Sequence, residues 1–226
     1  MDKVPFGTST TNTIKELLNQ GINRISVIIR HSARNYDKEN PEREAFMTLT
    51  ENGKNLSYKF GSSIPNGIVM NLYSSSVGRC IETAYLIDKG YVAAGGKTIS
   101  NVIDSTLSPF YVRSAQELFK LIGKPGDTDF ISRWFSGEIS TELIDNPEDA
   151  AKKIVKSLAE KTKKSIDDNI NVCISHDWNL FLVKEYFLKQ RYKDHRKVEY
   201  LEGVIVYEKD DKLFITNHKN KNEISL

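Results

Sequence analysis

The chain has 226 residues, of which 39% are apolar and 27% are charged; 32 Lys and Arg residues against 30 Asp and Glu residues give a formal net charge of +2. These proportions exclude an intrinsically disordered chain, and the length predicts one domain whose core needs no disulfide or metal for stability. So small a positive charge argues against a dedicated nucleic-acid-binding protein, although it leaves room for a local basic pocket.

The cysteine content and the N-terminal residues indicate a reducing compartment. Cys80 and Cys173 are too few for a disulfide framework and do not have the spacing of a metal site. The first residues contain no charged segment followed by an apolar run, so we expect no secretory leader. No stretch approaches the 18 apolar residues of a membrane span. We therefore expect a cytoplasmic protein with no membrane partner.

The first part of the chain predicts a helix, a buried strand and a second helix. Residues 8–12 are polar and are predicted to precede a short helix near residues 14–20. Residues 25–29 are almost wholly apolar and β-branched, which is typical of a strand buried on both faces. Residues 35–44 are charged and contain a proline, so they predict a loop, and Thr50 can cap the helix that follows.

The remaining elements continue this alternation of strands and helices. Further strands are predicted over residues 67–73, 98–103 and 170–175. Further helices are predicted over about 78–89, after 114, after 146 and over about 178–189. A C-terminal hairpin is predicted over 198–207 and 212–217. Strands that alternate with helices predict the α/β class. We expect a three-layer α/β/α sandwich with a mostly parallel central sheet flanked by helices, followed by the hairpin.

Residues 105–146 interrupt the alternation, because most of them have no clear hydrophobic period. They include Phe130 and the pair Trp134 and Phe135, which belong either to the core beneath a long loop or to a lid over a bound ligand. We interpret this segment as a small cap inserted into a single domain of residues 1–226.

Chemically active side chains follow three of the predicted strands, at the points where the strands end. They are Arg30, His31 and Arg34 after the first strand, Arg79 shortly after the second, and His176 and Asp177 after the strand at 170–175. Ligands of open α/β sheets bind beyond the carboxyl ends of the strands. If these strands are parallel neighbours, all six side chains share one crevice.

Three guanidinium groups in one crevice indicate an anionic ligand, because buried cations without a counter-charge are costly. The planar guanidinium fork binds phosphate oxygens in pairs, so the cluster favours a phosphoryl group. A neutral histidine beside it can attack phosphorus and form a phosphohistidine, while a carboxylic acid protonates the leaving alkoxide. The sequence therefore predicts phosphoryl transfer, with catalysis that is mostly electrostatic.

Four motifs, in order along most of the chain, resemble those of the histidine phosphatase superfamily, which includes phosphoglycerate mutases, acid phosphatases and phytases. They are Arg30-His31-Ser32-Ala33-Arg34, similar to Arg-His-Gly-x-Arg; Leu49-Thr50-Glu51-Asn52-Gly53, similar to Leu-Thr-x-x-Gly; Ser75-Ser76-x-x-Arg79-x-x-x-Thr83-Ala84, similar to the second-arginine motif; and Ser175-His176-Asp177, similar to the second-histidine motif. Each motif alone is a weak signal, but the ordered set is a strong one.

The resemblance implies a role for each matching residue. His31 would be the nucleophile, and Asp177 matches the proton donor of the acid phosphatase and phytase branch. The phosphate pocket would be lined by Arg30, Arg34, Arg79 and His176. The family needs no metal, so the resemblance implies no metal and no other cofactor.

The sequence departs from the family pattern at two places. Ser32 stands where the family usually has glycine, and its side chain either crowds the pocket or bonds to the phosphate. The mutase-type branch, which the chain resembles in length, often takes its proton donor from a glutamate after the second-arginine motif. Residues 105–111 contain no acid here, although Asp104 stands just before them. We therefore predict Asp177 as the acid and Asp104 as a second candidate, which also argues against a true phosphoglycerate mutase.

The function predicted from these residues is a metal-independent phosphomonoesterase that acts on a small phosphorylated substrate through a phosphohistidine. A phosphoprotein is a less favoured substrate, and no nucleic-acid partner is expected. Two alternatives stay open: a phosphoglycerate mutase-type phosphotransferase, and a catalytically silent module that binds a phosphorylated ligand. Substrate specificity is predicted to lie in residues 35–44 and 124–146.

Overall fold

The computed structural model describes residues 5–37, 39–122, 129–165 and 168–226. The strands are β1 (Arg24–Arg30), β2 (Val69–Ser74), β3 (Lys97–Ile103), β4 (Asn169–Ser175), β5 (Gly203–Lys209), β6 (Lys212–Thr216) and β7 (Lys221–Ile224). The helices are α1 (Thr8–Asn19), α2 (Glu51–Ser63), α3 (Gly78–Ala93), α4 (Ala115–Ile122), α5 (Phe130–Phe135), α6 (Pro147–Lys164) and α7 (Asp177–Leu188). None of these helices is long and apolar enough to cross a membrane.

The seven strands of the described residues form one sheet in the order β3-β2-β4-β1-β5-β6-β7. Strands β1 to β4 run parallel to one another, whereas β5 pairs antiparallel with β1, and β6 and β7 continue antiparallel. The predicted α/β class and C-terminal hairpin are confirmed, with β7 as an additional strand that was not predicted. Arg30 lies beside Ser175, and Ser74 lies beside Ile174, so β1, β4 and β2 end at the same edge of the sheet.

Helices cover both faces of the sheet, as the near-continuous apolar composition of the central strands predicts. In β1, Ile25, Val27 and Ile29 pack with side chains of α1, α2 and α3, whereas Ile28 packs with those of α4 to α7. All four are fully buried. The two hydrophobic clusters join the sheet to a layer of helices on each face, which gives the predicted three-layer sandwich.

Helix α1 begins earlier than predicted, at Thr8 instead of near residue 14. The polar start of the helix is buried because its threonine hydroxyls find partners. Thr10 Oγ1 donates to the Leu201 carbonyl at 3.0 Å, and Thr13 Oγ1 donates to the Ser9 carbonyl at 3.0 Å. Residues 8–12 are therefore polar within a helix, where threonine hydroxyl groups have hydrogen-bond partners, and do not form a loop.

The prediction of a strand from residue 198 is wrong, because β5 begins at Gly203. Residues 198–202 instead bend around the end of β1: Leu201 has a φ of 59°, its amide donates to the Arg30 carbonyl, and the Arg30 amide donates to the Glu202 carbonyl. The bend places this segment against the first predicted motif.

Described residues of the segment 105–146 pack with side chains of α6 and α7. Trp134 is 1% exposed and donates from Nε1 to the Asp145 carbonyl at 2.9 Å, and Phe130 stacks on Trp178 with ring centroids 5.5 Å apart. Trp134 is therefore a core residue, and Phe135 is partly buried beside the same cluster. The part of this segment at residues 123–128 lies outside the described residues.

The first two motifs interlock, which explains the glycine in the second of them. The Thr50 amide donates to the Ala33 carbonyl at 3.0 Å, and Thr50 Oγ1 caps α2 by accepting from the Gly53 amide at 3.0 Å. A Cβ atom on Gly53 would lie 2.0 Å from the Ala33 oxygen. Only glycine allows the start of α2 to approach the loop after β1 this closely.

Replacing Gly53 by alanine should lower the free energy of unfolding by about 3 kcal/mol or more, because the backbone of one motif must move away from the other. Gly78→Ala is the matched control, since a Cβ atom at Gly78 meets nothing within 4 Å. Urea unfolding of both variants measures the difference. Equal stability of the two variants would show that the Gly53 approach is not required.

Candidate active site

The aligned ends of β1, β2 and β4 bring His31, Arg79 and His176 together. The His31 amide donates to the Ser175 carbonyl at 2.9 Å, and the His31 and His176 ring centroids are 5.7 Å apart. Arg79, in the first turn of α3, donates from Nε to His31 Nε2 at 3.0 Å, and its Nη2 lies 3.4 Å from His176 Nδ1. The three side chains are nearly fully buried.

Hydrogen bonds fix the tautomer of His31. Its Nδ1 lies 2.8 Å from the Ser32 carbonyl oxygen, which can only accept, so Nδ1 carries the proton. Nε2 accepts from Arg79 Nε and therefore holds the lone pair of the neutral ring. The nitrogen that could attack phosphorus thus faces the arginines.

Burial and, to a smaller extent, the positive charge of Arg79 lower the pKa of His31 from 6.5 to about 2. Burial, together with the charges of Arg79, Arg30 and Arg34, likewise lowers the pKa of His176 from 6.5 to about 3. Both imidazoles are therefore neutral at physiological pH. A neutral imidazole is the form that a nucleophilic histidine needs.

These depressed pKa values make stability depend on pH. In the unfolded chain a histidine takes up a proton near pH 6.5, whereas folded His31 and His176 do so only near pH 2 and pH 3. Between these values the unfolded chain binds more protons. The two histidines should therefore not lower the free energy of unfolding above pH 6.5. Below pH 6.5 this free energy should fall, by up to about 1.4 kcal/mol per pH unit for each histidine.

Urea unfolding at pH 7.5, 6.5 and 5.5 measures this slope for the wild type and for His31→Gln. The variant should be visibly less sensitive to acid, because one of the two buried imidazoles is gone. The same slope in both proteins would show that His31 is not held neutral.

The hydroxyl groups of Ser75 and Ser108 orient the His176 ring from its Nε2 side. Its Nε2 lies 2.9 Å from Ser75 Oγ, which lies 2.9 Å from Ser108 Oγ. The neighbouring Ser175 Oγ donates to the Leu107 carbonyl at 2.7 Å. The start of the segment at residues 105–146 therefore supports the second-histidine motif.

Arg30 forms the opposite wall of the site together with Asp177. Its Nη2 lies 3.0 Å from Asp177 Oδ2, its Nη1 donates to the Val198 carbonyl at 2.6 Å, and its guanidinium lies 4.3 Å from the ring centroid of Tyr200. Arg30 Nε is buried and has no hydrogen-bond partner among the described residues. Sequence reasoning missed Val198 and Tyr200, because it assigned their segment to a strand.

A further residue that the sequence analysis missed is Glu44, in a 3-10 turn at Pro41–Phe46 within the predicted loop. Its Oε1 lies 3.0 Å from Nη2 of Arg34 and 3.0 Å from Nη2 of Arg79. Three guanidinium groups are thus balanced by two carboxylates. No periodicity or motif singles out Glu44; the only sequence signal is an acidic residue in a loop next to predicted phosphate-binding arginines.

Ser32 faces away from the histidine pair. Its Oγ donates to the Gly53 carbonyl at 2.8 Å, and its amide donates to Thr83 Oγ1 at 3.2 Å. Its carbonyl accepts from His31. The serine that replaces the usual glycine therefore neither crowds the site nor reaches a ligand there.

Asp104, the second candidate acid, is part of a different cluster. It forms an ion pair with Lys161 at 2.5 Å and accepts from the amide and hydroxyl of Thr106. Burial raises its pKa, but the bonds from Lys161 and Thr106 outweigh burial and hold the pKa below its usual value. A carboxylate held ionised by a lysine is poorly suited to donate a proton.

Solved structures resemble the chain across most of its length, whereas no model of a protein family and no curated protein matches its sequence. A phosphoserine phosphatase mutant from Entamoeba histolytica, in complex with phosphoserine, matches 86% of this chain and 96% of its own, with a TM-score of 0.54 and 18% identity. YhfR from Bacillus stearothermophilus matches 89% and 98%, with a TM-score of 0.54 and 17% identity. A phosphoglycerate mutase from Bacillus anthracis matches 92% and 95%, with a TM-score of 0.50 and 16% identity.

Identities this low show a common fold, and they leave the activity of this chain to the chemistry of its own site. This chain therefore has the fold of the histidine phosphatase superfamily, to which these phosphatases and mutases belong.

Proposed function

We propose that the protein is a metal-independent phosphomonoesterase that forms a phosphohistidine on His31. The observation that carries the proposal is the neutral His31 ring, whose unprotonated Nε2 lies 3.0 Å from Arg79 in a pocket with two further arginines. The arginines supply the positive charge that phosphoryl transfer requires, which in many other enzymes comes from metal ions.

In the first step, phosphoryl oxygens bind the guanidinium groups of Arg30, Arg34 and Arg79, with the otherwise unpartnered Arg30 Nε as an additional donor. The His31 Nε2 lone pair attacks phosphorus, and the bond between phosphorus and the ester oxygen breaks. The Ser32 carbonyl accepts from Nδ1 and stabilises the positive charge that develops on the ring. The bound arginines stabilise the charge on the transferring group.

Asp177 is the proposed acid for the leaving alkoxide. It lies at the start of α7 with its side chain 35% exposed, on the side of the pocket open to solvent. A phosphoryl dianion that draws Arg30 toward itself breaks the ion pair between Arg30 and Asp177, which frees the Asp177 carboxyl group to reach the leaving oxygen. After the alcohol departs, the same carboxylate takes a proton from the water that attacks phosphorus and releases phosphate.

The class of substrate follows from the same residues. A phosphate monoester offers three phosphoryl oxygens to the three arginines, and fold neighbours include a phosphoserine phosphatase in complex with phosphoserine. We therefore propose a small-molecule phosphate monoester as substrate. The two free, buried thiols of Cys80 and Cys173 suit a reducing cytoplasm, and we propose one domain of residues 1–226 with residues 105–146 as its cap.

Hydrolysis of p-nitrophenyl phosphate in the presence of EDTA, from about pH 4 to pH 8, tests the proposal. We expect release of inorganic phosphate without any acceptor, at a rate that the chelator does not change. Release without an acceptor distinguishes a phosphatase from a mutase, which requires a phosphorylated primer. A large loss of rate in EDTA, or binding of phosphate with no turnover of any ester, would contradict the proposed function.

A further inference from the structure

Glu44 binds the same guanidinium groups that the proposed function assigns to the phosphoryl group. One carboxylate oxygen, Oε1, lies 3.0 Å from Nη2 of both Arg34 and Arg79, and the Glu44 backbone carbonyl accepts from Arg79 Nη1 at 3.0 Å. Glu44 is 37% exposed at its side chain, whereas Arg34 is 13% and Arg79 is 7% exposed. The carboxylate therefore reaches the arginines from the solvent side.

With Glu44 in this position, each of the three guanidinium nitrogens of Arg79 already has a partner among the described residues. Nη1 and Nη2 contact Glu44, and Nε donates to the Nε2 lone pair of His31. Because that lone pair is the proposed nucleophile, attack on phosphorus requires Arg79 Nε to release His31, and binding of the phosphoryl group by Nη1 and Nη2 brings its oxygens into competition with Glu44. The exchange cannot leave the Glu44 carboxylate in place, since a carboxylate and a phosphoryl dianion on the same two cations repel each other.

The turn that carries Glu44 has, among the described residues, few contacts that would hold it against the pocket. Its side chains at residues 43–46 are exposed or half-buried, Phe46 being 82% exposed, and the first buried apolar side chain after it is Met47. No side-chain hydrogen bond caps the turn at Asn40. Movement of residues 41–46 would therefore break the two ion pairs and the Arg79 bond to the carbonyl while removing no side chain at 43–46 from the core.

We propose, on the basis of the proposed function, that Glu44 is an internal anion that competes with the phosphoryl group for Arg34 and Arg79, and that substrate binding displaces it. Glu44 then acts as a specificity-determining residue. A ligand must bind the two arginines more strongly than a carboxylate does, a condition that favours monoester dianions over singly charged anions.

Isothermal titration of the full chain with inorganic phosphate and with orthovanadate tests this competition. Glu44→Gln keeps the side-chain carbonyl and the backbone but removes the charge. The dissociation constants of this variant should be about tenfold lower than those of the wild type. A factor of this size is expected for two lost ion pairs of modest strength. Glu39→Gln, the same charge change on an exposed side chain of the same loop, should leave them unchanged. A urea unfolding curve verifies that both variants are folded.

Each of the following outcomes would overturn the proposal that Glu44 competes with the phosphoryl group. An unchanged or weaker affinity in Glu44→Gln would make Glu44 a residue that orients the arginines. A loss of rate, relative to the wild type, that is larger on alkyl than on aryl phosphates, with unchanged phosphate affinity, would make it a proton donor. An equal decrease of the dissociation constants in Glu39→Gln would show that the change in net charge, and not the position of Glu44, causes the higher affinity. If no variant binds phosphate or vanadate and none hydrolyses p-nitrophenyl phosphate, the proposed function itself fails.

Discussion

Replacing His31 by alanine should lower the rate of p-nitrophenyl phosphate hydrolysis by at least about 10³-fold, because the nitrogen that attacks phosphorus is removed. Phosphate and vanadate should still bind, with dissociation constants within about tenfold of the wild type, since Arg30, Arg34 and Arg79 remain in place. Steady-state kinetics and titration calorimetry on the same preparation separate the two effects.

His195→Ala is the matched control for this variant. His195 is exposed and lies in the segment between α7 and β5, away from the paired histidines, so both the rate and the affinity should equal those of the wild type. Substantial turnover in His31→Ala would remove His31 from the role of nucleophile. Loss of phosphate binding together with turnover would instead indicate that the variant pocket has collapsed, which the unfolding curve would reveal.

Replacing Asp177 by asparagine should slow the hydrolysis of alkyl phosphates by about 10²- to 10⁴-fold, the usual contribution of general acid catalysis. p-Nitrophenyl phosphate should lose less than about tenfold in kcat/KM, which reports on the steps up to release of the alcohol, because its phenolate leaves without a proton. The substitution also removes the partner of Arg30, but that change acts on both substrates equally. The ratio of the two losses therefore isolates proton donation.

Asp104→Asn controls for the loss of a half-buried carboxylate that is paired with a cation. Asp104 is paired with Lys161, so its variant should be less stable but should lose the same fraction of activity on alkyl and aryl phosphates. Equal losses on both substrates in Asp177→Asn would exclude Asp177 as the acid. A selective loss in Asp104→Asn would transfer that role to Asp104.

The positions of His31, Arg79 and His176 could be predicted because each lies at or just beyond the carboxyl end of a buried strand. A short apolar run identifies such a strand, and parallel neighbours end at one edge, so the local sequence determines where these residues meet. Thr50 could be predicted as a helix cap for a similar reason, since capping depends on residues within one turn.

Glu44 and Tyr200 could not be predicted, because nothing local determines their positions. Glu44 reaches the pocket through bonds to Arg34 and Arg79 from a turn without periodicity. Tyr200 stacks on Arg30 because the adjacent Leu201 adopts a positive φ that its residue type does not favour. In both cases long-range contacts determine a backbone path on which local propensity gives no information.

The most direct test of the phosphohistidine mechanism is to trap the intermediate. Enzyme mixed with excess p-nitrophenyl phosphate is quenched in alkali, in which phosphohistidine survives, and the modified peptide is sequenced by mass spectrometry. The mechanism predicts one phosphoryl group on His31, its absence after acid treatment, and no label in His31→Ala. A phosphoryl group on any other residue, or rapid turnover with no covalent label, would contradict it.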